Sequence, residues 1–309
     1  MPVRQFQAIA SLCLGVLVFS LQDLILKAMA GLYPVTQAMT IRSVVALPIL
    51  FTLVALSRGA SALRSNRTGL LALRAVISFG AYMTYYMAIA AIPLADAVTL
   101  FFVAPLMISL LAIMVLGERL TARTLGALLL GVVGVIIALK PGTAVFDWAS
   151  LLVLLAAGCY AVAQVLARKL GASEDAAVIA FYQNGAFLIG APMLALVFMA
   201  LGLQGGGHAS IAFLTRPWVW PTTGDFLLLA ACGVIASAGM TMLSQGYRLA
   251  PAAKVAVFEY SAILWGPLWG LLFFAEIPRT ATLVGAALII AAGLISLDRG
   301  RQADTTASP

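Results

Sequence analysis

Residues 93–118 read PLADAVTLFFVAPLMISLLAIMVLGE, and residues 251–276 read PAAKVAVFEYSAILWGPLWGLLFFAE. Each stretch begins with a proline, carries a second proline further on (Pro105 and Pro267) and ends on a glutamate 25 residues after its first residue. After each glutamate comes a run of glycine, alanine and leucine, with glycines in matching positions. The chain therefore contains an internal repeat, and this repeat decides the expected fold.

The composition is that of a protein that crosses a membrane many times. The chain has 309 residues, of which 63% are hydrophobic and 9% charged, and its mean hydropathy is +1.08. Soluble proteins carry about 25% charged residues. Long apolar runs recur along the whole chain, and runs of this length indicate transmembrane helices. We expect an all-α integral membrane protein of the cell (inner) membrane, in contact with the lipid bilayer.

Apolar runs of about 18 to 25 residues predict ten transmembrane helices, which we call spans 1 to 10. In order, they cover residues 7–30, 33–57, 68–92, 94–117, 123–140, 148–170, 176–201, 224–249, 252–275 and 280–297. The repeat divides them into two halves of five spans, residues 1–143 and residues 144–309, of which the second ends in a short cytoplasmic tail.

The basic residues predict how the chain is oriented. With the N-terminus inside, twelve Lys and Arg residues fall in cytoplasmic loops and helix ends, and four fall on the opposite side. The positive-inside rule therefore places both termini in the cytoplasm. Loop residues of this kind also explain the net charge of +7, so we expect no nucleic-acid partner. Because five is an odd number, the second repeat enters the membrane upside down relative to the first.

Inverted repeats are an architecture of secondary transporters, whose substrate site lies near the midplane between the repeats. Duplicated helical bundles also occur in channels and in membrane enzymes, which stay open as alternatives. The single histidine, His208, lies in a Gly-rich loop, so we expect no metal site and no catalytic residue. The chain carries no Walker A sequence. We therefore expect no cofactor, and a small-molecule substrate moved by alternating access without ATP.

Two further stretches point to a known family. LGERLTARTLGALLLGVVGVIIAL follows span 4, and its echo, FAEIPRTATLVGAALIIAAGLISL, follows span 9. With the five-plus-five arrangement, they resemble the EamA-type branch of the drug/metabolite transporter superfamily over residues 7–297. The tyrosine- and tryptophan-rich interior is similar to bacterial aromatic amino acid exporters. The resemblance implies a secondary transporter that exports amino acids, aromatic ones favoured; the rival is a broad-specificity drug or metabolite exporter.

Span 3 carries three tyrosines, Tyr82, Tyr85 and Tyr86, whose spacing places them close together on one side of a helix. Arg74 and Ser78 lie on the same side nearer the cytoplasm, so a polar stripe runs through the membrane. The stripe predicts the wall of a water-filled central cavity, where phenol rings stack on a substrate. The alternative is that these phenols form hydrogen bonds between packed helices.

Two acidic residues lie within spans, where burial of a charge is costly and indicates function. Asp23 in span 1 is spaced for an ion pair with Lys27, or it could bind an amino group or a proton. Glu259 in span 9 could carry a proton, or it could pair with Arg74, Lys254 or Arg248 and close the cytoplasmic side. We assign Asp23, Arg74, Lys254 and Glu259 to coupling or gating.

The remaining candidates are polar, aromatic or proline residues of spans 4, 6, 8 and 9. For substrate binding they are Thr99, Phe101, Phe102, Tyr160, Gln164, Gln245, Tyr260 and Trp265. Pro105 and Pro267 remove an N–H from their helices and are the predicted hinges. The outer loop, residues 202–223, is expected to rest on the lipid headgroups, and the alternative is a cover over an outward opening.

Spans 5 and 10 contain almost no polar side chain and are rich in glycine and alanine. Small residues permit close helix packing, and this pattern favours either packing within the chain or a homodimer through spans 5 and 10. These two spans are poor candidates to line a substrate path. Spans 1, 3, 4, 6, 8 and 9 are the better ones.

Overall fold

The computed structural model describes residues 3–116, 122–140, 146–170, 174–203, 205, 207–249 and 257–297. Throughout these residues the regular structure is helical and no strand is present. The first repeat contains α1 (Val3–Met29), α2 (Val35–Arg58), α3 (Thr68–Ile89), α4 (Leu94–Phe101), α5 (Ala104–Leu116) and α6 (Ala122–Leu139). The second contains α7 (Ala149–Leu170), α8 (Ala176–Ala200), α9 (Ala209–Thr215), α10 (Thr223–Leu249), α11 (Ala262–Phe274) and α12 (Thr280–Leu297).

Six of these helices are long and apolar enough to cross a membrane, counted over the described residues: α1, α2, α3, α7, α8 and α10. Four shorter apolar helical stretches fall in the other four predicted spans: residues 94–108, 129–139, 264–274 and 280–292. The all-α, multi-pass architecture with two repeats is therefore confirmed. The cytoplasmic placement of the termini stays a prediction, and we use it below to name the two sides.

The helix packing relates the two repeats by a two-fold pattern. α1 of the first repeat packs along α10 of the second, and α7, the counterpart of α1, packs along α3, the counterpart of α10. Corresponding helices also meet each other: α2 meets α8, α4 meets α11 and α6 meets α12. Because each repeat supplies five spans, this pattern is the one that two oppositely oriented halves produce.

α6 and α12 approach each other through glycine, within one chain. A Cβ atom added to Gly134 would lie 2.9 Å from the carbonyl oxygen of Gly285, and one added to Gly285 would lie 2.7 Å from the carbonyl oxygen of Gly134. Both distances are too short for a real side chain. The predicted close packing of spans 5 and 10 is therefore present inside the molecule, while the homodimer stays a prediction.

Span 4 is not the single helix, residues 94–117, that the sequence predicts. It is broken at Phe102 and Val103 into α4 and α5. The physical reason is Pro105, whose ring would clash with the carbonyl of Phe101 four residues earlier in a continuous helix. Span 9 also differs at its start, because residues 257–261 form a 3-10 turn before α11. Residues 252–256 of that predicted span lie outside the described residues.

The outer loop contains a helix, α9, that the sequence analysis does not predict. Beyond α9 the loop is attached to the first turn of α2. The indole Nε1 of Trp218 donates to Oγ1 of Thr36 at 2.9 Å, and Gln37 bonds both the N–H and the carbonyl of Val219. At the start of α9, Nε2 of His208 lies 3.1 Å from a carboxylate oxygen of Asp147. These contacts order the described part of the loop against the helical bundle.

Candidate functional site

A cavity of about 130 Å³, which we call the main cavity, lies between the two repeats. Its lining comes from α1, α3, α4, α5, α7, α10, α11 and the 257–261 turn, and therefore from spans 1, 3, 4, 6, 8 and 9. These are the six spans that the sequence analysis favours for a substrate path. The cavity is close in size to the roughly 150 Å³ that holds one benzene molecule. In this conformation it admits a group about as large as one aromatic ring.

Two carboxylates from opposite repeats face the main cavity. Asp23 of α1 accepts a hydrogen bond from the hydroxyl of Tyr85 at 3.3 Å. Glu259 of the 257–261 turn accepts one from the hydroxyl of Tyr160 at 2.8 Å. Each acid is thus held by a phenol of a neighbouring helix. The structure therefore brings together four residues that the sequence analysis singles out separately.

Aromatic rings form the wall between these acids. Phe101 lies between the two phenols, with its ring centroid 5.3 Å from that of Tyr85 and 5.2 Å from that of Tyr160. Tyr82 continues the wall towards α1, where its ring lies 6.2 Å from that of Phe19. Offset and edge-to-face contacts of this kind are the favoured geometry for aromatic pairs. The wall presents ring surface next to two carboxyl groups.

A second cavity, which we call the annex, adjoins the main cavity on the cytoplasmic side of Tyr82 and Tyr160, which line both. The annex measures about 20 Å³. Leu243 also lines both cavities, and the remaining lining of the annex is mostly polar and comprises Arg74, Ser78, Gln164, Gln183, Met240 and Ser244. A volume of about 10 to 15 Å³ suffices for one water molecule, so the annex has room for one.

Arg74 ties three helices together at the annex. Its Nε donates to the carbonyl oxygen of Ala163 at 3.1 Å, and its Nη1 donates to Oε1 of Gln183 at 2.8 Å. These two hydrogen bonds join the guanidinium to α7 and α8, and the pairing of Arg74 with Glu259 as a gate stays a prediction. Lys254 and the side chain of Arg248, the other predicted partners of Glu259, lie outside the described residues.

Behind the wall lies a second buried arginine, Arg42 of α2. Its Nη1 donates to Oε1 of Gln22 at 3.2 Å, and Gln22 in turn donates to the hydroxyl of Tyr86. Its guanidinium also lies over the ring of Phe187, 4.5 Å from the centroid. Tyr86 is fully buried in this network and, unlike Tyr82 and Tyr85, does not line the main cavity. The network fixes α1, α2 and α3 to one another.

The predicted outer end of the main cavity carries ion pairs that the sequence analysis does not identify. Nζ of Lys27 lies 2.8 Å from Oε1 of Glu276 and also donates to the carbonyl oxygen of Ile92 at 2.8 Å. The other oxygen of Glu276 accepts from the N–H of Leu94 at 2.9 Å. One carboxylate thereby joins the end of α1, the start of α4 and the end of α11. The expected pair of Asp23 with Lys27 is wrong, because Lys27 binds Glu276.

A second pair lies beside the first. Nη1 of Arg279 is 3.5 Å from Asp96, and the hydroxyl of Thr282 also donates to that carboxylate. This contact joins the first turn of α4 to the start of α12. We refer to Lys27, Asp96, Glu276 and Arg279 as the outer cluster. The sequence feature that could have indicated this cluster is the glutamate that ends each repeated stretch, which is Glu276 in the second stretch.

Three other predicted site residues, Thr99, Gln245 and Trp265, are not among the residues that line either cavity. Thr99 is buried within α4, and Gln245 lies in α10 next to Ser244, which does line the annex. Trp265 stacks on Trp269, with centroids 6.2 Å apart and planes 19° apart, and it is Trp269 that lines the main cavity.

Of the remaining predicted residues, Phe102 and Pro105 line the main cavity and Gln164 lines the annex. Pro267 lies inside α11, and the side chain of Tyr260 lies outside the described residues.

Three residues that line the main cavity, Phe19, Ser20 and Gly266, are not among the predicted site residues. Phe19 and Ser20 precede Asp23 by about one helical turn, so the spacing of four residues along α1 could have indicated Phe19. Ser20 accepts a hydrogen bond from Nε1 of Trp269 at 2.9 Å, which connects α1 to α11 across the cavity. Gly266 leaves space for Val98 at the crossing of α11 and α4, and no local pattern identifies it.

The charge of the main cavity is one-sided. Among the described residues that line it, two are acidic and none is basic, and most of the rest are aromatic or aliphatic. Such a surface binds a group that carries positive charge on an apolar body, because carboxylates and ring faces both attract cations. Among the described residues, no three His, Cys, Asp or Glu side chains come together in a way that could hold a metal ion.

Comparison with known proteins identifies the family of this chain. A model of the EamA-like transporter family matches residues 7–140 and again residues 147–297. The two matches correspond to the two repeats. A solved structure entitled "Crystal structure of protein" covers 96% of this chain and 98% of its own, with a TM-score of 0.64 at 20% sequence identity, and supports the fold.

Curated relatives are named as transporters of several different solutes. The pseudopaline exporter CntI of Pseudomonas aeruginosa is 29% identical over 92% of this chain and 93% of its own length. A riboflavin transporter of Rhizobium johnstonii is 27% identical over 79% of this chain and 76% of its own. An S-adenosylmethionine uptake transporter of Rickettsia prowazekii is 24% identical over 76% of this chain and 74% of its own.

Proposed function

The chain belongs to the EamA-like transporter family and is a multi-pass secondary membrane transporter, and we propose that it exports amino acids, aromatic ones favoured, or similar small amphipathic metabolites. The observation that carries the proposal is the main cavity, where Asp23 and Glu259 border a wall of aromatic rings. An aromatic amino acid offers the matching parts: an ammonium for a carboxylate and a ring for the wall.

We propose that substrate reaches the main cavity by alternating access, and the contacts at one end of the cavity support this. The main cavity lies between the repeats, and Glu276 joins α1, α4 and α11 at its predicted outer end. Rocking of one repeat against the other would break these contacts and open the cavity to that side. Glu259, which faces the cavity beside Tyr160, is the group we propose to carry a proton between the two sides.

A second candidate function has its own support. Two carboxylates, with no basic residue among the described lining, would also suit lipophilic cations that lack a carboxylate. A broad-specificity drug exporter is therefore the alternative. The relatives do not decide between the two, because their names cover pseudopaline, riboflavin and S-adenosylmethionine.

The test is transport by the purified protein in proteoliposomes. We expect uptake of labelled phenylalanine or tryptophan that depends on an imposed pH gradient, and weaker uptake of threonine. Tetraphenylphosphonium serves as the lipophilic cation in the same vesicles. Flux of this cation with no flux of any amino acid would overturn the amino acid assignment and favour the drug exporter.

A further inference from the structure

The annex contains a buried cation whose hydrogen-bonding capacity is only partly used by the fold. Arg74 is 5% exposed, and it donates one N–H to Ala163 and one to Gln183. A guanidinium carries five N–H groups in a planar fork that suits a carboxylate. The remaining N–H groups make no hydrogen bond to other described residues.

The rest of the annex complements an anion. Ser78, Gln164, Gln183 and Ser244 contribute hydroxyl and amide groups, and none of the described residues that line the annex is acidic. The nearest acid of the main cavity, Glu259, is bound to Tyr160 at the boundary between the two cavities. The site is thus divided into an acidic compartment and a basic one, with Tyr82 and Tyr160 between them.

We propose that the annex is the subsite for a carboxylate of the substrate and that Arg74 is its counter-ion. The inference rests on the proposed function and specifies how the substrate lies: the ammonium is near Asp23 and Glu259, the apolar part is on the aromatic wall, and the carboxylate is in the annex. At about 20 Å³ the annex holds no more than a water in this conformation. Tyr82 and Tyr160 must therefore shift to admit the carboxylate.

A purely structural role for Arg74 predicts a different outcome, and two substrates distinguish the roles. Phenylalanine and phenethylamine share the ring and the ammonium, but phenethylamine has no carboxylate. A charge-assisted hydrogen bond corresponds to about 10- to 100-fold in affinity. We expect Arg74→Gln to raise the KM for phenylalanine by this factor relative to the KM for phenethylamine. An equal loss for both compounds would overturn the carboxylate subsite.

Arg42→Gln is the matched control, because Arg42 is also a buried arginine of a span but lines neither cavity. Any effect of Arg42→Gln should be the same for phenylalanine and phenethylamine. Size-exclusion chromatography and the melting temperature of each purified variant establish that it is folded. A selective loss of phenylalanine transport in Arg42→Gln as well would assign the effect to buried charge in general, and would overturn the subsite.

A binding measurement separates this inference from the proposed function. 3-Phenylpropionate has the ring and the carboxylate but no ammonium, and a ligand of the folded state raises the melting temperature. We expect it to stabilise the wild type and Arg42→Gln but not Arg74→Gln. No stabilisation of the wild type, or equal stabilisation of all three proteins, would overturn the subsite. Absence of amino acid flux in the wild type would overturn the proposed function, while this assay still decides on the annex.

Discussion

The contact of Lys27 with Glu276 should hold the main cavity closed on the predicted outer side. The charged atoms are 2.8 Å apart and the side chains are 11% and 21% exposed. At an effective dielectric constant of about 20, this separation gives a Coulomb attraction of about 6 kcal/mol, from which desolvation must be subtracted. Exposed pairs contribute about 0–1 kcal/mol, and loss of one partner of a buried pair costs about 3–5 kcal/mol. For this intermediate burial we expect about 2 kcal/mol.

Glu276→Gln should therefore raise the population of the outward-open state by about 30-fold. The assay is the labelling of a reporter cysteine that replaces Val98 in the main cavity, after the three native cysteines have been changed to alanine. A membrane-impermeant maleimide is added from the side on which Lys27 lies. We expect the labelling rate to rise by this factor in Glu276→Gln and by a similar factor in Lys27→Gln.

The double variant and a weaker pair provide the controls. Lys27→Gln with Glu276→Gln should label no faster than either single variant, because both changes remove the same interaction. Arg279→Gln should change the rate at most about fivefold, since Arg279 is 44% exposed and lies 3.5 Å from Asp96. Unchanged labelling in Glu276→Gln, or effects that add in the double variant, would refute the closing role.

Three further changes test other parts of the molecule. Glu259→Gln should make transport independent of the pH gradient, because an amide cannot carry a proton; unchanged pH dependence in proteoliposomes would leave Glu259 as a gate residue. Tyr82→Ala should abolish transport but retain a monodisperse peak in size-exclusion chromatography, since its ring lines a cavity; a misfolded variant would contradict this placement. Gly134→Leu should lower the melting temperature, because its Cβ would meet the backbone of Gly285 and overpacking costs about 1–3 kcal/mol. Gly126→Leu is the control and should not lower it, because no atom lies within 4 Å of a Cβ at that position. Equal losses of melting temperature in the two variants would refute the contact between α6 and α12.

The long helices could be predicted from the sequence because hydrophobic length alone determines them. The break in span 4 illustrates what is harder to predict. Pro105 indicates a disturbance, but prolines can also sit inside a transmembrane helix, as Pro48 does in α2 and Pro192 in α8. Whether a proline breaks a helix depends on the neighbours that bind the freed carbonyls, and these come from distant parts of the chain.

The candidate site was predictable as a set of spans more than as a set of contacts. Polarity within the membrane identified Asp23, Glu259, Tyr82 and Tyr160, because buried polar groups are costly wherever they lie. Their pairing was not predictable. Helical spacing suggested that Asp23 binds Lys27, yet Lys27 binds a carboxylate 249 positions further along the chain. Only the three-dimensional arrangement of the repeats decides which charges meet.

The two-fold pattern of packing has a consequence for energetics. When the repeated stretches are aligned from their first prolines, Phe101 of the first corresponds to Glu259 of the second. The two halves are therefore similar in fold but different in chemistry, and no symmetry requires the inward-open and outward-open states of the proposed cycle to have equal free energies. Any difference in free energy sets which state the empty protein occupies and, through the population of the binding-competent state, the apparent affinity for substrate. It does not set the direction of net transport, which the gradients of substrate and coupling ion determine.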